Sequence, residues 1–129
     1  MAKHDLPKPT EAELAILKVL WELGPSTVRQ VTEHLLDERG TGYTTALKLM
    51  QIMTEKGLVQ RDESERSHVY HAVASAEITQ RQLVSDLLDR AFGGSAQQLV
   101  MRALSAKRAS KAELAEIRSL LDELEKQAK

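Results

Sequence analysis

Apolar residues recur at the spacing of an α-helix along most of the chain, and residues typical of helix ends separate the segments. The first segment opens with Thr10 and Glu13, which stand in the T-x-x-E order of a capping box, and residues 24–25 (Gly-Pro) end it. The next segment repeats the capping order with Thr27 and Gln30. The pattern therefore predicts two consecutive helices.

The second helix is expected to end near Asp37, and residues 37–42 (DERGTG) have the composition of a polar loop. A third helix follows in residues 42–57 (GYTTALKLMQIMTEKG), where Gly57 occupies the position of a left-handed C-cap residue. Its inward stripe consists of Ala46, Leu49, Met50 and Met53. Its outward face carries Thr44, Lys48 and Gln51, with Thr45 and Leu47 at the edges.

Two short segments rich in valine and tyrosine follow the third helix, at residues 58–61 and 68–73, and a charged stretch at 62–67 separates them. This pattern predicts a two-stranded hairpin. The order of three helices and a hairpin over residues 10–74 is that of a winged helix-turn-helix domain, in which the second helix of the pair enters the major groove. We therefore predict a mainly α fold with a small β-hairpin wing, and a third helix that reads DNA.

Residues 75–129 predict three further helices and no strand. Ser75 is expected to cap the first, residues 93–95 (GGS) to break the chain before the second, and Ser110 with Glu113 to form the capping box of the third. The order of the chain is then a winged helix in residues 10–74 and a helical region in residues 75–129.

The helical region has more apolar residues than it can bury alone, because a three-helix unit of this size buries little area. Two interlocked copies would bury more, and two recognition helices would match two half-sites on DNA. The alternative is that these helices pack onto the winged helix of the same chain. The residues expected at a dimer interface are Leu83, Leu87, Leu88, Phe92, Leu99, Val100, Leu104, Leu114, Ile117, Leu121 and Leu124.

The outward face of the third helix has the chemistry to read DNA. Thr44 and Thr45 lie at the helix N-terminus, where free N–H groups favour a phosphate. Lysine contacts guanine, glutamine pairs with adenine, and threonine or leucine touches the methyl group of thymine. The alternative is a solvated face that only keeps the helix soluble. The residues predicted to contact DNA are Tyr43, Thr44, Thr45, Leu47, Lys48, Gln51, Arg29, Lys56 and Arg66.

The charge of the chain does not by itself indicate a nucleic-acid partner. The 129 residues carry a formal net charge of −1, and residues 1–74 hold 9 Lys and Arg against 11 Asp and Glu. A strongly basic domain is the usual footprint of DNA binding, so any DNA function must depend on where the cations are placed. Two other functions stay open: a winged helix that binds another protein, and a DNA-binding protein without sequence preference.

The sequence offers no chemistry for catalysis, and no cofactor is expected. The absence of cysteine excludes a disulfide framework and a thiolate metal site, and it fits a reducing cytoplasm. His68 and His71 would point to opposite faces of a strand and are not expected to share a metal ion. The motifs of metalloproteases, P-loop proteins and serine hydrolases are absent. Residues 1–9 are expected to form a flexible tail, with no signal peptide and no membrane span in the chain.

Five stretches of the chain resemble one family. They are AELAILKVLWELGPSTVRQV, YTTALKLMQIMTEKGLV, HVYHAV, LLDRAFGGSAQQLV and SKAELAEIRSLLDELE. Together they are similar to the BlaI/MecI penicillinase-repressor family, which also includes the copper-responsive CopY group. The resemblance covers the chain from about Thr10 to Glu125, and its most specific parts are Trp21, the YTT at 43–45 and the FGGS at 92–95.

The resemblance implies a bacterial homodimeric repressor, with an N-terminal winged helix and a C-terminal helical dimerisation region. It implies double-stranded operator DNA with an inverted repeat of the TACA/TGTA kind. In the antibiotic-responsive branch, a membrane sensor-protease system leads to cleavage of the repressor in its dimerisation region, and the DNA is released.

Two positions depart from the best-known members of that family. Arg102-Ala103 stands where those members have the cleaved Asn-Phe bond, so the same cleavage is not expected here. Leu47 stands where they have an arginine in the recognition helix, and leucine cannot donate a hydrogen bond to a base. A different operator is therefore expected. The lack of cysteine also argues against the copper-binding tail of the CopY group.

Overall fold

The structure is a computed structural model that describes residues 7–128 of the chain, as six α-helices and one two-stranded antiparallel sheet. This confirms the predicted mainly α fold with a small hairpin. Of the expected N-terminal tail, residues 1–6 lie outside the described part, and residues 7–9 have no regular secondary structure. The elements are α1 (Glu11–Leu23), α2 (Val28–Arg39), α3 (Tyr43–Lys56), β1 (Val59–Asp62), β2 (Val69–Ala72), α4 (Ala76–Ala91), α5 (Ala96–Ala106) and α6 (Lys111–Gln127).

Side-chain caps begin the helices where the sequence predicts them. The Glu13 N–H donates to Thr10 Oγ1 at 3.2 Å, and the Thr10 N–H donates to Glu13 Oε1 at 2.9 Å. Thr27 and Gln30 form the same reciprocal pair at the start of α2, and a third capping box begins α6. Each box satisfies two backbone donors that a helix leaves free at its N-terminus.

The predicted end of α2 near Asp37 is wrong, because the helix continues to Arg39. Gly40 then adopts φ 69°, and its N–H donates to the carbonyl of Leu36. This left-handed residue stops the helix, since glycine reaches positive φ without a steric penalty. The loop before α3 is correspondingly shorter than the polar sequence indicates.

The core of the first helices and the hairpin includes most of the inward stripe predicted for α3, in which Ala46, Met50 and Met53 are buried and Leu49 is half-buried. α1, α2 and α3 each turn one apolar face towards the others, and the hairpin closes this cluster. The buried apolar residues are Ile16, Leu17, Val19, Leu20, Val28, Val31, Leu35, Ala46, Met50, Met53, Leu58, Val59 and Tyr70.

The hairpin, which we call the wing (residues 59–72), pairs β1 and β2 in antiparallel register with Val59 opposite Ala72. Ser26, just before α2, extends this sheet on its other side. Its N–H and carbonyl exchange hydrogen bonds with Tyr70 at 2.9 and 2.8 Å. The wing is thereby held against the residues that lead into α2.

By compactness the chain divides within α4, into a first unit that ends at Val84 and a second unit that begins at Ser85. Thr79, in the first half of α4, is buried in the first unit, whereas α5 and α6 have no buried residue. The boundary at residue 74, which the sequence predicts between the winged helix and the helical region, remains a proposal. In the described part, no helix is both long enough and apolar enough to cross a membrane.

Candidate nucleic-acid interface

The orientation of α3 is fixed by three side chains that have no exposed surface. Ala46, Met50 and Met53 are each 0% exposed and lie in the core of the first unit. Because a helix turns by 3.6 residues, the opposite side must face solvent. The exposed residues on that side are Thr44, Thr45, Lys48 and Gln51.

Leu47 lies at the margin between the two faces of α3. It is half-buried and packs against the core cluster. The sequence pattern places it at the edge of the outward face, and in the structure its side chain also helps to wall a concavity beside that face. Leu47 therefore has both a packing contact and a surface that a ligand can reach.

The N-terminal end of α3 has no side-chain cap. Gly42 occupies the N-cap position, and no side-chain hydrogen bond is made there. The carbonyl of Gly42 accepts the Ala46 N–H at 3.0 Å. The N–H groups that precede Ala46 in the helix therefore have no acceptor within the helix. Free N–H groups and the helix dipole at this end favour an anion, beside the exposed Thr44 and Thr45.

Arg29, at the start of α2, and Arg66, in the wing, approach the same end of α3. Both line a concavity with Tyr43 and Leu47. Among the described residues, Arg29, Arg66 and Lys48 form no ion pair with a carboxylate. Their charges are therefore available to a phosphate backbone, although the unit as a whole is slightly acidic.

Two other cations of the first unit, Arg61 and Lys56, pair with carboxylates of the protein. Arg61 Nε donates to Glu63 Oε2 at 2.7 Å, and hydrogen bonding to Tyr70 and then to Glu63 raises the pKa of the Arg61 guanidinium. Lys56 lies at the far end of α3, where its Nζ is 2.7 Å from Glu13 Oε1. The structure thus brings Lys56 to a buried carboxylate rather than to the exposed face of α3.

The acidic residues of the wing lie at the end of β1 and in the turn that follows. Asp62 Oδ1 accepts the Ser64 N–H at 2.9 Å, and this bond lowers the pKa of Asp62 and keeps its carboxylate charged. Asp62, Glu63 and Glu65 are all exposed. Since these carboxylates repel phosphate, the turn as a whole does not favour an anion, although Arg66 lies in it.

The sequence reasoning did not assign to this surface five residues that also line the concavity beside Arg29 and Arg66: Thr27, Val28, Ser67, His68 and Tyr70. Thr27 is recognisable only as a helix cap, and Ser67 only as a turn residue. His71, three residues after His68, instead lies 3.1 Å from Gln60. The signal that could have found His68 is its place directly before β2, next to Arg66.

The residues predicted for dimerisation carry large exposed apolar surface in the single chain. Leu121 is 55% exposed and Leu124 is 50% exposed. Met101 and Leu120, which the sequence reasoning did not include, are 56% and 57% exposed. The half-buried members of the predicted set are Leu83, Leu88, Phe92, Leu99 and Ile117. The exposed members are Leu87, Val100, Leu104, Leu114, Leu121 and Leu124.

Comparison with known proteins places the chain among transcriptional regulators. The family model for the penicillinase repressor matches residues 9–123. Two strains of Mycobacterium tuberculosis have a transcriptional regulator BlaI that is 32% identical over 102 residues, which is 78% of this chain and 72% of that protein. The family is one of transcriptional regulators and not of enzymes.

Two solved structures share the fold at low sequence identity. The hsRosR-S4 complex superposes with a TM-score of 0.55 and 18% identity, and the match covers 95% of both chains. Staphylococcus aureus MarR, in a complex with salicylate and kanamycin, gives a TM-score of 0.51 and 14% identity over 95% of this chain and 73% of its own. Both support the winged-helix fold.

Proposed function

This chain belongs to the penicillinase repressor family of winged-helix transcriptional repressors, and from that premise we propose that it acts as a homodimer on an inverted-repeat operator. The observation that carries the proposal is the exposed side of α3. Thr44, Thr45, Lys48 and Gln51 face solvent together, while the opposite side of the same helix is buried. These residues would contact base edges in the major groove.

Phosphate contacts would come from the cations around the N-terminal end of α3. Arg29 and Arg66 are exposed, form no ion pair in the described part, and lie on two sides of that end. Tyr43 would add a hydroxyl donor. Lys56 is left out of the proposed interface, because Glu13 already holds its ammonium group.

The dimer is supported by the apolar residues of α4, α5 and α6. No residue of α5 or α6 is buried in the single chain, and α6 keeps three leucines at least half exposed. Water-exposed leucine costs free energy that burial against a second copy would recover, at about 25 cal/mol per Å². A symmetric pair of these helices would supply that burial.

The operator would be an inverted repeat related to TACA/TGTA, as the family resemblance implies. Leu47 is the residue expected to make the operator sequence differ from that of the family, because its half-buried side chain can touch a thymine methyl group but donates no hydrogen bond. Since a bacterial operator lies on DNA inside the cell, the repressor would act in the cytoplasm.

The family resemblance also implies a route for release of the DNA. A membrane sensor-protease system would lead to cleavage of the repressor in its dimerisation region. Cleavage would separate the paired recognition helices, and single ones bind far more weakly. The Arg102-Ala103 bond lies inside α5, so a protease would first have to unwind that helix. A gene for a membrane metalloprotease next to this one would support that partner.

The proposal is tested by the binding of labelled DNA from the protein's own promoter region, measured by fluorescence anisotropy over a range of salt concentrations. Lys48→Ala should weaken binding and reduce the slope of log K against log salt by about one. Lys18→Ala removes an exposed lysine from α1 and is the matched control. An unchanged affinity and slope in Lys48→Ala would contradict the assignment of α3.

Specificity is tested with the same assay on a scrambled repeat. A specific repressor should lose about 1–3 kcal/mol for each mismatched base pair. Equal binding to the scrambled DNA would identify a DNA-binding protein without sequence preference. A dimeric preparation that binds no promoter DNA at low salt would instead favour a protein-interaction module.

A further inference from the structure

A concavity of about 360 Å³ lies in the first unit, walled by the start of α2, the start of α3 and the wing. The hydrogen bonds between Ser26 and Tyr70 hold the wing beside α2 and so create this space. Ligand sites in proteins have volumes of about 300–1,000 Å³. The cavity is therefore large enough for a small molecule of about ten non-hydrogen atoms.

The lining of the cavity has an apolar floor and a cationic rim. Val28 and Tyr70 are only 7% and 1% exposed, so the apolar floor that a ligand can reach is formed by the half-buried Leu47 and the exposed ring of Tyr43. Arg29 and Arg66 are exposed at the rim. No Asp or Glu lines the cavity. The positive charge of the rim is therefore not compensated by a carboxylate of the lining.

The concavity along β1 provides a contrast within the same unit. Its lining includes Arg61 together with Asp62 and Glu63, and Arg61 pairs with Glu63. The cation there is already neutralised. Uncompensated positive charge over an apolar floor is thus a property of the first cavity and not of every depression on the wing.

We propose that the cavity between α2, α3 and the wing binds a small organic carboxylate, with its anionic group on Arg29 and Arg66 and its apolar body on Tyr43 and Leu47. One arginine can hold a carboxylate by two parallel hydrogen bonds, and the second arginine of the rim adds positive charge beside it. A neutral ligand would leave these charges without a partner, and an inorganic anion would leave the floor uncovered.

A DNA backbone satisfies only part of this lining. Its phosphates would reach the exposed arginines, but a phosphate has no apolar group to cover the side chains of Tyr43 and Leu47. The capping box of Thr27 and Gln30 satisfies the N–H groups of those two residues and does not reach those of Val28 and Arg29, so the helix end attracts a phosphate and a carboxylate alike. The floor therefore fits a ligand that enters the cavity.

The ligand would compete with DNA, an inference that rests on the proposed function. The cavity shares Arg29, Tyr43, Leu47 and Arg66 with the proposed DNA contacts. Two ligands that need the same side chains exclude each other, and each lowers the apparent affinity of the other. A metabolite of this class would thus release the DNA without cleavage of the chain.

The test uses the full chain and benzoate as the probe, with benzamide as its uncharged analogue of nearly equal shape. Binding is followed by the chemical shifts of backbone amides. Benzoate should bind at least about tenfold more tightly than benzamide, which corresponds to about 1.4 kcal/mol. The shifted amides should belong to the residues that wall the cavity, such as Arg29, Leu47 and His68.

A cavity-filling variant and a matched control locate the probe. Ser67→Phe places a ring at the cavity wall and should raise the Kd for benzoate at least about tenfold. Ser64→Phe adds the same ring in the turn of the wing but outside the lining, and should leave the Kd within about twofold. Far-ultraviolet circular dichroism of both variants checks that they fold. Equal benzoate binding in folded Ser67→Phe and wild type would overturn the proposed site.

Competition is measured with wild-type protein and labelled promoter DNA at constant ionic strength, with chloride replacing benzoate in the control. Displacement of the DNA by benzoate but not by chloride supports the inference. DNA binding that benzoate leaves unchanged would overturn the inference while the proposed function stands. Benzoate binding in the cavity without any DNA binding would overturn the proposed function and the competition, and would leave the site itself supported.

Discussion

The Nζ atom of Lys56 lies 2.7 Å from Oε1 of Glu13, and this ion pair joins the last turn of α3 to the first turn of α1. Glu13 is 3% exposed, whereas the side chain of Lys56 is 33% exposed. The same Glu13 oxygen accepts the Thr10 N–H of the capping box. The helix proposed to read DNA is therefore anchored at its C-terminal end by a charge buried at the beginning of α1.

Lys56→Met should destabilise the protein by about 1–3 kcal/mol, because it leaves the buried Glu13 carboxylate without its cation. The value lies below that of a fully buried pair, since Lys56 is partly solvated. Chemical denaturation at neutral pH measures the loss. Lys18→Met, at an exposed site of α1, is the control and should be nearly neutral. Equal stabilities of the two variants would show that the ion pair contributes nothing.

The contribution of this pair should disappear in acid. Burial raises the pKa of Glu13, but the hydrogen bond from Lys56 and the bonds with Thr10 outweigh it and hold the pKa below its ordinary value of 4.5. A group whose pKa is lower in the folded state stabilises it above the unfolded pKa and loses this effect as pH falls through the folded pKa. The stability difference between wild type and Glu13→Gln should therefore shrink below about pH 4.5. A difference that is constant from about pH 7 to about pH 3 would contradict this.

Gly57→Ala should destabilise the junction between α3 and the wing by about 1 kcal/mol. Gly57 has φ 87°, and its N–H donates to the carbonyls of Met53 and Thr54. A methyl group at this position meets no neighbour within 4 Å, so the cost is conformational and not a clash. Gly42→Ala is the control, because Gly42 has φ −90° and an alanine fits that backbone. In thermal unfolding, the Tm of Gly57→Ala should be clearly lower than the Tm of Gly42→Ala.

Leu121→Glu should convert the dimer to monomers, because it puts a charge into the apolar surface that the second copy is proposed to cover. Leu36→Glu in α2 is the control, since Leu36 is 53% exposed and Leu121 is 55% exposed in the single chain. Sedimentation velocity measures both. A dimeric Leu121→Glu, or a wild type that is monomeric at micromolar concentration, would contradict the proposed interface.

The sequence predicts the helices well because the signals that define them are local. The capping boxes at Thr10 and Thr27 lie within three residues of their partners, and the structure has both. The division of α3 into a buried and an exposed face follows from its periodicity alone. The end of α2 was missed because the polar residues before Gly40 look the same in a loop and in the last turn of a helix.

Some features of the candidate site depend on contacts between distant residues. Lys56 and Glu13 are 43 residues apart, so nothing local distinguishes Lys56 from the free cations Arg29 and Arg66. The cavity beside α3 exists because Ser26 pairs with Tyr70, and no motif in the sequence predicts that bridge. Residues such as Ser67 and His68 acquire a place in the site only through this packing.

The sequence by itself determined the order of the elements and the inward and outward faces of α3, because periodicity and helix caps act within a few residues. The tertiary structure decided which cations stay free for an anion and where the wing lies beside α2. These depend on pairings across the fold, whose geometry is set when the core packs and not by any one segment.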